Sequence, residues 1–357
     1  MARMFKRSFY FLLSVLTVLV MSTVKYDGNT TIGHQISQAG LLTFPSFFLS
    51  ETPAPDAGMS RIALLDLPET VMSGVAVFPE PRIRTGEPAV PGLRSLENKE
   101  LKQELRARLM KNPVWRKLIK QKRMSVGIVD MANTRVGPTT ARYATVNGRH
   151  MMYAASLPKI AVLAAAHDAI DRGELRETKE VTKDMRLMIA KSNNAATTRM
   201  IDRLGFEKIE RTMTDPGLKL YDPAFGGGLW VGKRYAAGGK RSPDPIKGIS
   251  HAATTEQICR FFYLLANNAL ISPEASTKMR GYLVDPELHH KFVNVLDRVA
   301  PNAKVYRKSG SWSSFHADVA MVQGPDRDYI ITALVDDPAG EQICRGLAKV
   351  LDDMLKQ

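Results

Sequence analysis

The chain has 357 residues, of which 44% are hydrophobic and 24% charged, a composition that excludes disorder of the whole chain. The formal net charge of +14 favours anionic surroundings such as nucleic acid, phospholipid head groups or acidic wall polymers. No zinc-finger spacing, RNA-binding aromatic signature or long basic tail is present, so we expect no nucleic-acid partner. No pattern supports a metal site, and we expect no cofactor.

The N-terminal 24 residues have the pattern of an export signal. Arg3, Lys6 and Arg7 precede an apolar segment at residues 9–24, and a positive flank before about 15 apolar residues is typical of a signal peptide or short anchor. No small-x-small cleavage site follows clearly, which favours a retained anchor over a removed signal peptide. A buried core helix is disfavoured, because the segment is apolar without interruption directly after three basic residues. We therefore expect an exported, periplasmic or extracytoplasmic protein, tethered to the inner membrane through residues 9–24.

We expect a catalytic domain at 98–357. Residues 25–97 precede this domain, and residues 98–123 form its start. Residues 25–97 contain eight of the twenty prolines and are interpreted as a linker or stalk. Residues 98–123 are strongly basic with a leucine-rich apolar face, and Pro113 should divide them into two helices. These helices either touch a membrane or wall, or cover a sheet as a solvated surface; the second interpretation is favoured.

From Ser125 onward the pattern is that of one domain. Strands are predicted at 125–131, 141–146, 318–323 and 329–337, and helices at 156–172, 183–204, 206–213, 254–268, 273–283 and from 341. Strands near both ends with helices between them predict an α/β (α+β) fold, in which an antiparallel sheet is flanked by helices and carries an inserted all-helical subdomain. Cys259 and Cys344 both lie in helical patterns and either pair or remain buried free thiols.

Ser156 and Lys159 form the first candidate motif, Ser-Leu-Pro-Lys. Pro158 fits only near the start of a helix, so Ser156 should lie where free backbone N–H groups stabilise developing negative charge. Lys159 follows one turn later, and a lysine beside a buried helix can lose its proton and act as a base. Ser22 and Lys25 have the same spacing, and only the helix context distinguishes the two pairs.

Two further motifs follow in order. Ser192-Asn193-Asn194 interrupts a helical apolar pattern, and Lys308-Ser309-Gly310 precedes a predicted strand. Alone, the first is better explained as a helix cap and the second as an exposed turn. The succession S-x-x-K, S-x-N and K-[S/T]-G is, however, associated with class A β-lactamases and penicillin-binding proteins.

The region from about 98 to 357 thus resembles a class A β-lactamase-type domain of the penicillin-recognising serine hydrolase family. The resemblance implies that Ser156 attacks a lactam or peptide amide, with Lys159 as base and Ser192 relaying the proton to the leaving nitrogen. It further implies the substrate contacts, namely Asn194 for a side-chain amide, Lys308 and Ser309 for a carboxylate, and the N–H groups of Ser156 and Ser311 for the oxyanion.

The sequence departs from the family where the acyl-enzyme should be hydrolysed. Class A enzymes have a Glu with an Asn four residues later between the second and third motifs, and no acid in the matching stretch has this partner; those acids are Glu207, Glu210, Asp215, Asp222 and Asp244. Only 36 positions separate Ser156 from Ser192, fewer than is typical, which suggests a wider groove. Ser309 stands where Thr is commoner.

Three hypotheses remain open at this stage. The first is a serine hydrolase of this family, acting as a β-lactamase-like enzyme or as a D,D-peptidase on cell-wall peptides, and the missing Glu favours the peptidase. The second is a non-catalytic wall-binding protein that keeps the pocket, and the intact motifs disfavour it. The third, a basic membrane or nucleic-acid binder, explains the charge alone.

Overall fold

A computed structural model describes residues 90–131 and 141–357. The predicted leader and most of the predicted linker lie outside the described residues. Residues Leu93–Leu96 form a short 3-10 helix whose Leu93 is buried in the core. The described fold therefore begins before residue 98, while the predicted domain boundaries stay predictions.

Ten α-helices are present in the described ranges. In chain order they are α1 (Lys99–Lys111), α2 (Pro113–Lys120), α3 (Lys159–Asp171), α4 (Lys179–Ala190), α5 (Asn194–Leu204), α6 (Phe206–Thr214), α7 (Thr255–Ala266), α8 (Pro273–Leu283), α9 (Phe292–Val299) and α10 (Gly340–Leu355).

The strands form one principal sheet and two small ones. They are β1 (Met124–Asp130), β2 (Arg142–Val146), β3 (Met152–Tyr153), β4 (Tyr221–Asp222), β5 (Gly227–Gly228), β6 (Trp230–Val231), β7 (His251–Ala253), β8 (Lys304–Trp312), β9 (Phe315–Gly324) and β10 (Arg327–Asp336). The principal sheet has the order β2-β1-β10-β9-β8, and its neighbouring strands are all antiparallel. This confirms the predicted fold class.

The sheet is covered on both faces, which explains its apolar strands. All seven residues of β1 are buried, as expected when neither face of a strand meets water. On one face, α1, α2, α9 and α10 pack against the sheet. The apolar face of the basic segment is buried there; it comprises Leu101, Leu105, Leu109, Trp115, Leu118 and Ile119. The interpretation of this segment as a sheet-covering surface is therefore correct, and Pro113 does begin a second helix.

The other face carries the helical subdomain. Helix α7 packs on β1 and β10, while α4, α5, α6 and α8 surround α3. Every residue from Ile160 to Ala166 is fully buried, because this helix is apolar all round and lies at the subdomain centre. The predicted single helix at 183–204 is instead two helices, α4 and α5, separated at residues 191–193.

Both cysteines are buried free thiols. Cys259 belongs to the core on the subdomain side of the sheet, and Cys344 to the core on the opposite side. Within the described ranges, no helix is both long and apolar enough to span a bilayer. The predicted anchor at residues 9–24 falls outside these ranges.

Candidate active site

Ser156 lies in a turn between β3 and α3. The turn is built from i+3 hydrogen bonds, with Leu157 N donating to Ala154 O (3.0 Å) and Lys159 N to Ser156 O (3.3 Å). Helix α3 begins at Lys159, three residues after the predicted start, and Pro158 is its N-cap residue. Ala155 has φ +51°, a conformation that is costly for a residue other than glycine and recurs at functional sites.

Lys159 is fully buried and points towards the start of α5. Its Nζ donates to the backbone O of Ser192 (2.5 Å), lies 3.3 Å from Ser192 Oγ, and donates to Asn194 Oδ1 (2.7 Å). Burial disfavours the charged ammonium and lowers the pKa of Lys159 to about 7. A substantial fraction of this amine is therefore neutral and able to accept a proton near neutral pH.

Ser192 is held at the break between α4 and α5 in a strained conformation. Its φ is +53°, and the next residue, Asn193, caps α5 by accepting a hydrogen bond from Ala196 N. The cap explanation is thus correct for Asn193. The hydroxyl of Ser192, one residue earlier, instead contacts two lysines.

Lys308 is the second lysine, and it reaches Ser192 from the sheet. Its Nζ donates to Ser192 Oγ (2.9 Å) and to Ser309 O (2.8 Å). Its pKa is lowered well below the usual value, first by burial and then by Lys159. Lys159, Ser192 and Lys308 thus form one continuous polar chain, although their motifs are far apart in sequence.

The backbone of β8 brings Ser156 to this chain. A Cβ built on Gly310 would lie 2.6 Å from Ser156 N and 2.8 Å from Leu157 N, and closer still to Ala154 O. The strand therefore passes directly against the turn of Ser156, an approach that only glycine permits. The three motifs meet at one site.

The predicted substrate-binding residues lie around the same site. Asn194 is the first residue of α5 and contacts Lys159. Ser309 is buried, and its Oγ lies 3.4 Å from His290 Nε2. Ser311 is exposed and follows Gly310 on β8.

A buried ionic cluster supports β8 from behind. Arg307 forms a buried ion pair with Asp318 on β9 (2.7 Å), and Lys291 donates from its buried Nζ to Gly310 O (2.5 Å) and Ala317 O (3.1 Å). Hydrogen bonds of this kind satisfy charges that would be costly to bury alone. They position the strand segment that carries Lys308 and Gly310.

Tyr235 is a site residue that the sequence motifs did not reveal. Its hydroxyl donates to Ala155 O (3.0 Å), next to Ser156, and its ring centroid lies 4.6 Å from Lys159 Nζ. The ring also packs on His251, 4.2 Å between centroids. Tyr235 thus joins the nucleophile turn to the lysine, and a lone Tyr in a glycine-rich loop gives no sequence signal of this role.

Three of the five acids named between the second and third motifs have other partners. Asp244 accepts from Tyr221 and three backbone N–H groups, Asp222 pairs with Arg94, and Glu207 with Lys240. Among the described residues, no carboxylate forms an ion pair with Lys159. Those residues likewise contain no group of three or more His, Cys, Asp and Glu side chains suited to a metal.

Comparisons with known proteins agree with the observed fold. A family model described as the β-lactamase enzyme family matches residues 181–354, which span the second and third motifs. The β-lactamase from Sphaerobacter thermophilus DSM 20745 is 16% identical, with a TM-score of 0.54 over 71% of this chain and 97% of that one. The domain has a class A β-lactamase-like fold.

Two structures of PBP-A also have folds similar to that of this domain. PBP-A is 16% identical, with a TM-score of 0.52 over 74% of this chain and 98% of that one. A PBP-A mutant solved as an acyl-enzyme complex with penicillin G has the same identity and coverage and a TM-score of 0.53. A search among curated proteins gave no match.

Tyr235 supplies the first testable prediction for the β-lactamase-like site. Tyr235→Ala should slow acylation by a penicillin by roughly 10- to 100-fold, because it removes both the ring beside Lys159 and the hydrogen bond to Ala155 O. Tyr235→Phe keeps the ring and should retain most of the rate. Labelling kinetics followed by intact-protein mass measure both, and equal rates for Ala and Phe would contradict a role for the ring.

Proposed function

We propose that the protein is a serine acyl-enzyme hydrolase that attacks an amide or lactam carbonyl through Ser156. The observation that carries this proposal is the environment of Lys159, whose buried amine has a pKa of about 7 and contacts Ser192 at the start of α5. An amine poised near the working pH is suited to general base catalysis. The fold likeness and the matched family model support the same chemistry.

The proposed acylation moves two protons. Ser156 Oγ attacks the carbonyl carbon while its proton passes to Lys159 Nζ, and backbone N–H groups of Ser156 and Ser311 stabilise the oxyanion. When the tetrahedral intermediate collapses, the C–N bond breaks and the Ser192 hydroxyl gives its proton to the leaving nitrogen. Ser192 is then reprotonated by Lys159, which returns to its neutral state.

Lys308 and Asn194 would hold the substrate during these steps. Lys308 donates to Ser192 Oγ, and this hydrogen bond favours the alkoxide character of that hydroxyl. A substrate carboxylate beside Lys308 would favour its protonated form and pair with it. Ser309 would contact the same carboxylate, and Asn194 the substrate's side-chain amide. These roles follow from the family resemblance, and the contacts described above support them.

Slow hydrolysis of the acyl-enzyme is the second part of the proposal. No carboxylate among the described residues pairs with Lys159, and from the loop at 232–250 the aromatic ring of Tyr235 lies 4.6 Å from its Nζ. An aromatic ring cannot activate water as a general base. We therefore favour a D,D-peptidase-like, penicillin-binding activity on cell-wall peptides over rapid β-lactam turnover.

The proposed location follows from the sequence alone. The basic flank and the apolar residues 9–24 support export and an inner-membrane tether, which would place the domain where wall peptides occur. The alternative of a non-catalytic wall-binding protein is disfavoured, because a binding pocket has no need for a buried lysine amine beside Ser192.

Covalent labelling tests the proposal. Purified full-length protein is incubated with penicillin G, and its intact mass is followed over time. We expect a stable mass increase of one penicillin, absent in Ser156→Ala and unchanged in the control Ser95→Ala, which alters an exposed hydroxyl on the 3-10 helix at Leu93–Leu96. Rapid loss of the label would support a lactamase instead, and failure of penicillin and peptide esters to label the protein would support the binding protein.

A further inference from the structure

A second concave site lies away from the catalytic motifs, between α1 and the turn that follows β2. Its volume is about 510 Å³, within the range of small-molecule sites. Most of its lining side chains are charged or polar; the charged ones and the histidine are Glu97, Lys102, Arg106, Lys122, Arg149, His150 and Glu256. We call this site the cationic cleft.

The acids of the cationic cleft are already neutralised. Buried Glu256 accepts from Arg94 (2.6 Å) and Arg149 (3.1 Å), and Glu97 pairs with Lys102 (2.5 Å). Arg106 and Lys122, by contrast, have no ion-pair partner among the described residues. The cleft therefore has an excess of positive charge at two side chains that remain available to a ligand.

A third cation adds to this charge from the neighbouring loop. Lys247 Nζ lies 3.4 Å from His150 Nδ1 and donates to Met151 O (2.9 Å). The pKa of His150 is lowered by burial and then by the nearby Lys247 and Lys122, so the ring stays neutral beside them. Lys122 and Lys247 thus both bring positive charge to the surroundings of His150, and this charge would attract a bound anion.

We propose that the cationic cleft binds a phosphate group carried by a small ligand or a lipid head group. A phosphate carries up to two negative charges and several acceptor oxygens, which match the unpaired Arg106 and Lys122. Nucleic acid is disfavoured, because none of the lining residues offers an exposed aromatic face on which bases could stack.

Calorimetric titration of the full-length protein in a neutral detergent tests the site. The probes are glycerol 1-phosphate, short-chain dihexanoyl phosphatidylglycerol and, as an uncharged control, glycerol. Arg106→Glu combined with Lys122→Glu should weaken phosphate binding at least tenfold. The matched double variant Lys304→Glu with Lys349→Glu makes the same change in net charge at exposed positions outside the cleft and should change affinity less than twofold.

The results of this titration distinguish a soluble phosphate from a lipid head group, and they can also overturn the proposal. Binding of both phosphates with similar affinity supports a soluble phosphate ligand, and much tighter binding of the lipid supports a head group. Absence of binding by either probe, or an equal loss in the two double variants, overturns the proposal. Penicillin labelling of each variant confirms folding, and Arg106→Gln with Lys122→Gln replaces the first variant if it fails to fold.

Discussion

Replacement of Lys159 by Met is expected to slow acylation by penicillin G by roughly 10²- to 10⁴-fold, the usual contribution of a general base. Met fills much of the buried space left by the lysine stem but cannot accept the proton of Ser156. Loss of the amine also leaves Asn194 Oδ1 without its donor. The second-order rate of covalent labelling measures the effect, and a loss smaller than threefold would contradict the assignment of Lys159 as base.

The same assignment predicts the pH dependence of the wild-type protein. Burial lowers the pKa of Lys159 from its ordinary 10.5 to about 7, so the neutral amine that accepts protons predominates above pH 7. Acylation should therefore accelerate as pH is raised from 5.5 through 7, and level off above about 8. A rate that stays flat over this interval, or rises only near pH 10, would indicate that Lys159 is not the group that titrates.

Lys308 must be separated from Lys159, because its pKa is also lowered and the two lysines interact. Lys308→Arg keeps a positive charge at every accessible pH, since the guanidinium does not lose its proton. In this variant the overall rate should fall, but the inflection near pH 7 should persist. Disappearance of the inflection would assign it to Lys308.

The fold was predictable wherever the local pattern agreed with tertiary packing. Pro113 divided the basic segment as expected, and the apolar run after Pro158 became the buried centre of the subdomain. Helix α9 was missed, because the chain enters it through Lys291, a fully buried lysine with φ +54°. Lys291 donates hydrogen bonds to Gly310 O and Ala317 O, which belong to strands distant in sequence. Such contacts cannot be predicted from local hydrophobic periodicity.

The motifs named the candidate site residues, but the geometry of the site could not be predicted from them. Spacing placed Lys159 one turn after Ser156, whereas the meeting of Ser192 with Lys308 depends on how the subdomain sits on the sheet. The break at 191–193 was hidden within a helical apolar pattern, because the left-handed conformation of Ser192 is held by surrounding contacts. Tyr235 could not be predicted from the sequence either, because its role depends on tertiary packing against Lys159 and His251.

Gly310 gives the second large prediction, because it sets the distance between β8 and the turn of Ser156. Gly310→Ala should lower the acylation rate at least 100-fold, since displacement of a reacting group by about 1 Å can cost this much. The added methyl would meet backbone atoms, Ser156 N at 2.6 Å and Leu157 N at 2.8 Å, and a backbone cannot rotate away as a flexible side chain can. Labelling rates and the melting temperature should be measured together.

Gly281→Ala is the matched control for this change. Gly281 is exposed on α8 with no atom within 4 Å of an added Cβ, and alanine in a helix is more stable than glycine by about 0.5–1 kcal/mol. This variant should acylate at the wild-type rate and melt at the same or a higher temperature. If Gly310→Ala were also acylated within threefold of the wild-type rate, β8 could not be packed against Ser156 as described. The three motifs would then not share one site, because Gly310 is the residue through which the strand of Lys308 approaches the nucleophile.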